Sequence, residues 1–347
     1  MALITDTSLR AVKQALEDRN AILGSIANMF SDDTFSWRRV QLDVRAGSAT
    51  NYPIGMELMS SYQYDGTSYE YPWVVMDNNR TCMWQDGTTH PGLWLMAKYA
   101  VAEGCQFDAP EGEETTDTTA QANCYYCGVS STTYTMLNLS TGDTVPLGNY
   151  DKVLKGKYNA VNVYKDGYSR WRDSGVRQWL NSDAAAGQWW TSTHVGDNPP
   201  EQLSGLPGYM SRLDSNFLAV VNPVKVQTAT ATADPESGVT DITYDKFFLI
   251  SLEEAYGVPL YSGVEGAYFP YWKIATNLSE PSNGTSSIYS EARTFQRVTD
   301  HSTTDAGHMR SLTKGTLYNV WGSYSPGYLS SNVARHSRRN CPCCVIS

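Results

Sequence analysis

The chain has 347 residues, 41% of them hydrophobic and 18% charged, which excludes a disordered or collagen-like polymer. At about 150 residues per domain the length suggests roughly two domains. The net charge of −10 argues against nucleic-acid binding, and no run of apolar residues is long enough for membrane insertion.

Residues 1–34 read as a helix. Apolar residues fall at Leu9, Val12, Leu16, Leu23, Ile26 and Phe30, a heptad spacing in which Arg19 takes the one missing core position. Thr7 or Ser8 can cap its start. Two readings stay open: a short parallel coiled coil that makes a homo-oligomer, or an amphipathic helix docked on its own domain. Leu at the first core position with Val or Ile at the second favours more than two strands, so the oligomer expected is a trimer. No basic region with an apolar core opens the chain, so no secretory signal is expected and synthesis is assigned to the cytoplasm.

A domain over residues 35–347 follows. Val40, Leu42 and Val44 alternate with polar residues, which predicts a strand. Trp73–Met76 and Leu93–Met96 are short apolar runs between turn residues. Residues 108–122, Thr-rich and acidic with Pro110 inside, predict a solvated loop within an insertion near 103–150. A helix is expected over about 173–184, capped by Asp173 or Ser174, with Val176, Trp179 and Leu180 on one face. A second is expected over about 208–221, carrying Met210, Leu213, Phe217 and Val221 and stopped before Pro223. Phe247–Leu252 reads as a buried strand, and Glu253-Glu254 beyond it as a helix-start feature. From 257 onward regular periodicity is weak, although Trp272, Phe295, Trp321 and Val345-Ile346 argue for order.

Motifs of known chemistry are sparse. Cys124-Tyr-Tyr-Cys127 has zinc-ligand spacing that Cys341, Cys343 and Cys344 can complete, but no second Cys-x-x-Cys exists. Free thiols and no metal are the expectation. His301 and His308, with Asp300 and Asp305, are near in sequence without forming a compact ligand motif. No nucleophile elbow, phosphate loop or dinucleotide fingerprint is present, so no catalytic residue, cofactor or enzyme activity is predicted.

The informative segment is Tyr318–Cys344. Beyond Asp305 the chain has no acid and five Lys or Arg, so the last 42 residues carry +5 and the first 305 carry −15. Lys, Glu, Gln and Met supply roughly 45 of all residues, so about three or four are expected among these 27 positions, and none occurs. Tyr, Ser, Asn and Arg dominate instead, the residues that recognition loops use: Tyr for rigid contact area, Ser and Asn for adaptable hydrogen bonds. Adenine-directed mutation of AAC or AAT codons generates this same set, because codons ending in a pyrimidine cannot encode Lys, Glu, Gln or Met. It cannot generate Trp, which marks Trp321 as a fixed residue. An ordinary Ser- and Tyr-rich terminal segment is the competing reading.

From about Tyr52 onward the chain resembles a domain family of unknown function found in gut bacteria and their phages. The motifs that carry the resemblance are Val74–Asp77, Cys82–Tyr99, Asp173–Asn181, Asp214–Val221, Asp245–Glu254 and Pro342–Ile346. The resemblance implies an α+β, C-type-lectin-like fold of the formylglycine-generating-enzyme subtype, irregular and loop-rich, behind the N-terminal helix. It also implies a target protein of a diversity-generating retroelement, displayed on the phage virion surface, with its variable segment near 318–344. The ending Asn340-Cys-Pro-Cys-Cys344 departs from the family's more usual Gly-Val-Arg-Pro-Ala type. On this reading the contact residues are Tyr318, Asn319, Ser323, Tyr324, Ser325, Tyr328, Ser331, Asn332, Arg335, His336, Arg338 and Arg339. The expected partners are a host cell-surface protein or glycan, further copies of the chain, and other virion proteins. Alternatives are a head-fibre or decoration protein and a Cys-pair oxidase built on Cys341 and Cys344.

Overall fold

A computed structural model describes residues 35–110, 126–127, 135–137, 144–146, 167–193, 197–231, 239–257, 261–276, 296–302, 306–314, 316, 318–324 and 328–347. The expected oligomerising helix with Leu9, Val12, Leu16, Leu23, Ile26 and Phe30 lies outside them, as do Cys124, Ser325 and Asp305. The described residues form a mixed, β-rich fold of open sheets and few, short helices, in keeping with an α+β class. No helix among them is long and apolar enough to cross a membrane.

Five antiparallel strands make the central sheet, in the order β1 (Glu57–Leu58), β2 (Trp73–Asp77), β3 (Leu93–Ala97), β10 (Pro342–Ile346), β6 (Phe247–Leu249). Every residue of β2, β3, β6 and β10 is buried. This explains the unbroken apolar runs at 73–76 and 93–96: a strand covered on both faces has no polar alternation. The last strand is not an edge. Cys344 faces Leu95 of β3 on one side and Phe247 of β6 on the other.

Aromatic side chains fill one side of the sheet. Trp73 and Trp37 lie 4.7 and 4.6 Å from Phe217, and Tyr209 sits 5.2 Å from Phe247 and 5.5 Å from Trp179. Trp73, Trp94, Trp179 and Trp272 are all buried.

Three local expectations are corrected. Residues 37–45 form a helix, α1 (Trp37–Arg45), rather than a strand. Its N-cap Ser36 accepts the Arg39 N–H at 3.1 Å. Val40 and Val44 share a helix face as readily as a strand face, and Trp37 three residues earlier completes the helical stripe, all three being buried. The helix expected over 173–184 is shorter: α2 (Gly175–Leu180) starts at the cap Ser174 with Val176, Trp179 and Leu180 buried, and ends at Asn181. That side chain turns to strand β6, donating to the Phe247 carbonyl at 2.7 Å and accepting the Lys246 N–H at 2.8 Å. The helix expected over 208–221 is broken in two, a 3-10 turn Tyr209–Arg212 and one turn Ser215–Leu218. Asp214 intervenes because its carboxylate caps the Phe217 N–H at 2.9 Å.

The strand expected over 247–252 stops at Leu249. Ser251 and Glu254 close a capping box that starts α3 (Leu252–Tyr256), and Gly257 ends it at φ +66°. Helix α4 (Pro270–Thr276) packs against β2. Strands β4 (Val224–Ala229) and β5 (Thr240–Asp245) form a hairpin tied to the α2 region by Arg170–Asp241 at 2.5 Å and Arg177–Asp245 at 2.8 Å. Asp108, expected in a solvated loop, is buried and accepts the N–H groups of Tyr168 at 3.1 Å and Gly175 at 2.9 Å.

Candidate functional site

The Tyr-, Ser- and Arg-rich tail folds as regular structure, which its weak periodicity did not predict. β7 (Ala306–Leu312), β8 (Asn319–Tyr324) and β9 (Tyr328–Val333) make a three-stranded antiparallel sheet in that order. Cross-strand pairing sets side chains of Asn319 and Val333, Trp321 and Ser331, and Ser323 and Leu329 on one face. Val320 and Asn332, and Gly322 and Ser330, lie on the other. The sheet bulges between His308 and Leu312 on β7.

The expected contact residues divide by burial. Tyr318, Asn319, Ser331, Asn332, Arg335, His336, Arg338 and Arg339 are all half-buried, so each keeps part of its surface in solvent. Ser323 is different: it is buried and accepts the Tyr256 hydroxyl at 3.2 Å. For Tyr324 and Tyr328 the structure describes the strand backbone, paired with each other in register. Val320, Leu329, Ala334 and Asn340 are buried between the half-exposed positions. Trp321 packs partly against the core.

Residues 334–341 are stitched to residues 101–108. Cys105 and Arg338 exchange two backbone hydrogen bonds at 2.8 and 2.9 Å. The Phe107 N–H donates to the Ala334 carbonyl at 2.8 Å, and Arg339 Nε donates to the Ala102 carbonyl at 3.3 Å. Asn340 is the hub: its Oδ1 accepts the His308 N–H at 3.0 Å and its Nδ2 donates to Cys105 Sγ at 3.1 Å.

Behind the sheet lies a buried charge network. Arg310 of β7 donates to the Leu249 carbonyl at 2.8 Å, to Glu254 Oε2 at 2.6 Å and to the Glu265 carbonyl at 2.5 Å. Ser311 donates to the Glu265 carboxylate, which also accepts the Ala229 N–H at 3.1 Å. Burial pushes Glu265 up to about 7, against the pull of Arg310 and Ser311. Burial, with Arg338 adding to it, pulls the His308 imidazole down to about 3, so it stays neutral at physiological pH. Arg310, Glu254 and Glu265 were not legible as one unit, because 56 residues separate Arg310 from Glu254 and 45 separate it from Glu265.

The cysteine and histidine candidates do not converge. Cys341, Cys343 and Cys344 are free and buried, and burial raises all three thiols well above their usual range. Among the described residues no group of three His, Cys, Asp or Glu can hold a metal ion. His301 stacks on Tyr99 with ring centroids 4.3 Å apart, whereas His308 is buried beside Phe107.

A family model described as a domain of unknown function, DUF6273, matches residues 150–347, more than half of the chain. Neither the curated proteins nor the solved structures contain a match to it. The matched residues include β4 to β10 but not β1, β2 and β3, nor the segment 101–108 that holds the tail.

Proposed function

We propose that this chain, which belongs to the DUF6273 family, is a binding protein that presents its C-terminal sheet to a host cell-surface protein or glycan. One observation carries the reading: in the acid-free run 318–339, Tyr318, Asn319, Ser331, Asn332, Arg335, Arg338 and Arg339 keep part of their surface exposed, while apolar Val320, Leu329 and Ala334 are buried. A surface that changes its contacts without unfolding needs that division between part-exposed contact residues and buried fixed ones. Tyr318 supplies rigid area, Asn319, Ser331 and Asn332 supply hydrogen bonds, and Arg335, Arg338 and Arg339 supply charge for carboxylate or phosphate groups. Trp321, outside the reach of adenine-directed mutation, is partly buried against the core.

The finer reading is a C-type-lectin-like domain diversified by a retroelement and carried on a phage surface, with residues 1–34 multiplying weak single-site affinity by forming a trimer. Buried, protonated thiols at Cys341 and Cys344 weigh against the Cys-pair oxidase, whose chemistry needs an accessible thiolate.

Binding of the labelled full chain to a panel of gut bacterial cells tests the reading. Tyr318→Ala and Arg335→Ala are expected to lower cell binding at least several-fold with an unchanged melting temperature. Equal binding by both variants and the parent would overturn it. Gene sequences from several isolates test diversification: substitutions should concentrate at the half-exposed positions of 318–339 and spare Val320, Leu329 and Ala334.

A further inference from the structure

One concave site is lined by none of the expected contact residues. It is a cleft of about 270 Å³ between β4, the 264–267 segment and the central sheet. Lys225, Gln227, Arg80, Arg310, Glu254 and Glu265 supply its polar lining, and Trp94 and Phe248 its aromatic lining. The volume sits just below that of drug-sized ligand pockets, which suits a ligand of one small ring.

Its polar groups are incompletely used. Arg310 is buried, yet its Nε–H has no hydrogen-bond partner among the described residues. Glu254 Oε2 takes Arg310 Nη1 at 2.6 Å and the Ser251 N–H at 3.1 Å, which leaves Oε1 to Arg80 Nη1 at a loose 3.5 Å. Lys225, half-buried in β4, has no ion-pair partner among the described residues. A buried donor without a partner is unfavourable, so a conformation that brings an acceptor to it is rewarded.

Charge decides the class of ligand. Arg80, Lys225 and Arg310 are opposed by Glu254, by a Glu265 only partly ionised near neutral pH, and by Asp77, whose Oδ2 is 3.3 Å from Arg80 Nε. The balance repels neither sign strongly and rewards neither. A free anion meets Glu254 and Glu265, and a free cation meets Arg80, Lys225 and Arg310. Hydroxyl groups both donate and accept, so a neutral polyol suits a lining in which Lys225 and Gln227 stand beside the carboxylates of Glu254 and Glu265. Gly266 keeps the wall open: at φ +122° a Cβ there would stand 2.6 Å from Glu254 Oε1.

We propose that this cleft binds a single neutral sugar residue, separately from the receptor-binding surface on the tail sheet. Saturation-transfer NMR on the full chain tests it with the methyl glycosides of glucose, galactose, mannose and N-acetylglucosamine, and with glucuronate and glucosamine as charged counterparts. At least one neutral glycoside should show transfer with a Kd of about 1–10 mM and bind more tightly than both charged sugars. Lys225→Ala should weaken it about tenfold, and Gly266→Val should abolish it. The half-buried position of Lys225 lets its variant keep the parent melting temperature, so loss of binding there is not loss of fold. The proposal is overturned by an absence of transfer from all four glycosides, by tighter binding of a charged sugar, or by full binding in Lys225→Ala. Transfer lost in Tyr318→Ala also overturns it, because the sugar would then lie on the tail sheet. Cell binding, measured on the same variants, reports on the tail surface independently.

Discussion

Asn340 donates to Cys105 Sγ at 3.1 Å, and this contact joins residues 235 positions apart at the base of the tail sheet. The same side chain accepts the His308 N–H at 3.0 Å, so one buried amide serves two elements. Asn340→Ala leaves the His308 N–H without its acceptor. The expected loss is about 2–3 kcal/mol, read as a fall in melting temperature of about 5 °C or more in a thermal melt. Cell binding should fall with it, since the arginines at 335–339 follow the segment that Asn340 holds. An unchanged melting temperature would show that the hub is dispensable.

Residues 150–347, the part that the family model covers, should not fold alone. Cys344 and Val345 of β10 pair with Leu95 and Trp94 of β3, and the tail leans on Ala102, Cys105 and Phe107. Without residues 35–110, β10 loses one of its two neighbours and exposes a fully apolar face. A fragment 150–347 is expected to show no cooperative thermal transition and to bind a hydrophobic dye, while the full chain melts cooperatively. Cooperative melting of the fragment would contradict the sheet order.

Glu265 and His308 act in opposite senses on stability against pH. The folded Glu265 titrates near 7 and an exposed carboxyl near 4.5, so between these values the folded state holds a proton that the unfolded chain has released. Its contribution therefore falls as pH rises through that window. The folded His308 titrates near 3 and an exposed imidazole near 6.5, so the unfolded chain binds more protons there, and its contribution is lost as pH falls. In Glu265→Gln only the His308 effect remains of the two. Urea midpoints for that variant should rise more steeply from pH 4.5 to 6.5 than those of the parent, and should not decline towards pH 7. Parallel pH profiles for the two proteins would show that Glu265 keeps an ordinary carboxyl.

Local chemistry explains what could be read without coordinates. Trp73–Met76 and Leu93–Met96 signal buried strands by unbroken apolarity, and Ser174 and the pair Glu253-Glu254 announce helix starts by capping. Val40, Leu42 and Val44 misled because an i, i+4 pair fits both periods, and Asp214 broke a helix that apolar spacing alone would continue.

The sequence by itself determined the buried strands at 73–76 and 93–96, the helix start at Ser174, and a C-terminal segment set apart by its lack of acid. Only the tertiary structure decided that Ser323 is withdrawn into the core, that Arg310, Glu254 and Glu265 form one network, and that β10 lies between β3 and β6. The reason is range. Caps and apolar runs depend on neighbours within a few residues, whereas burial of a serine or pairing of a strand depends on residues hundreds of positions away.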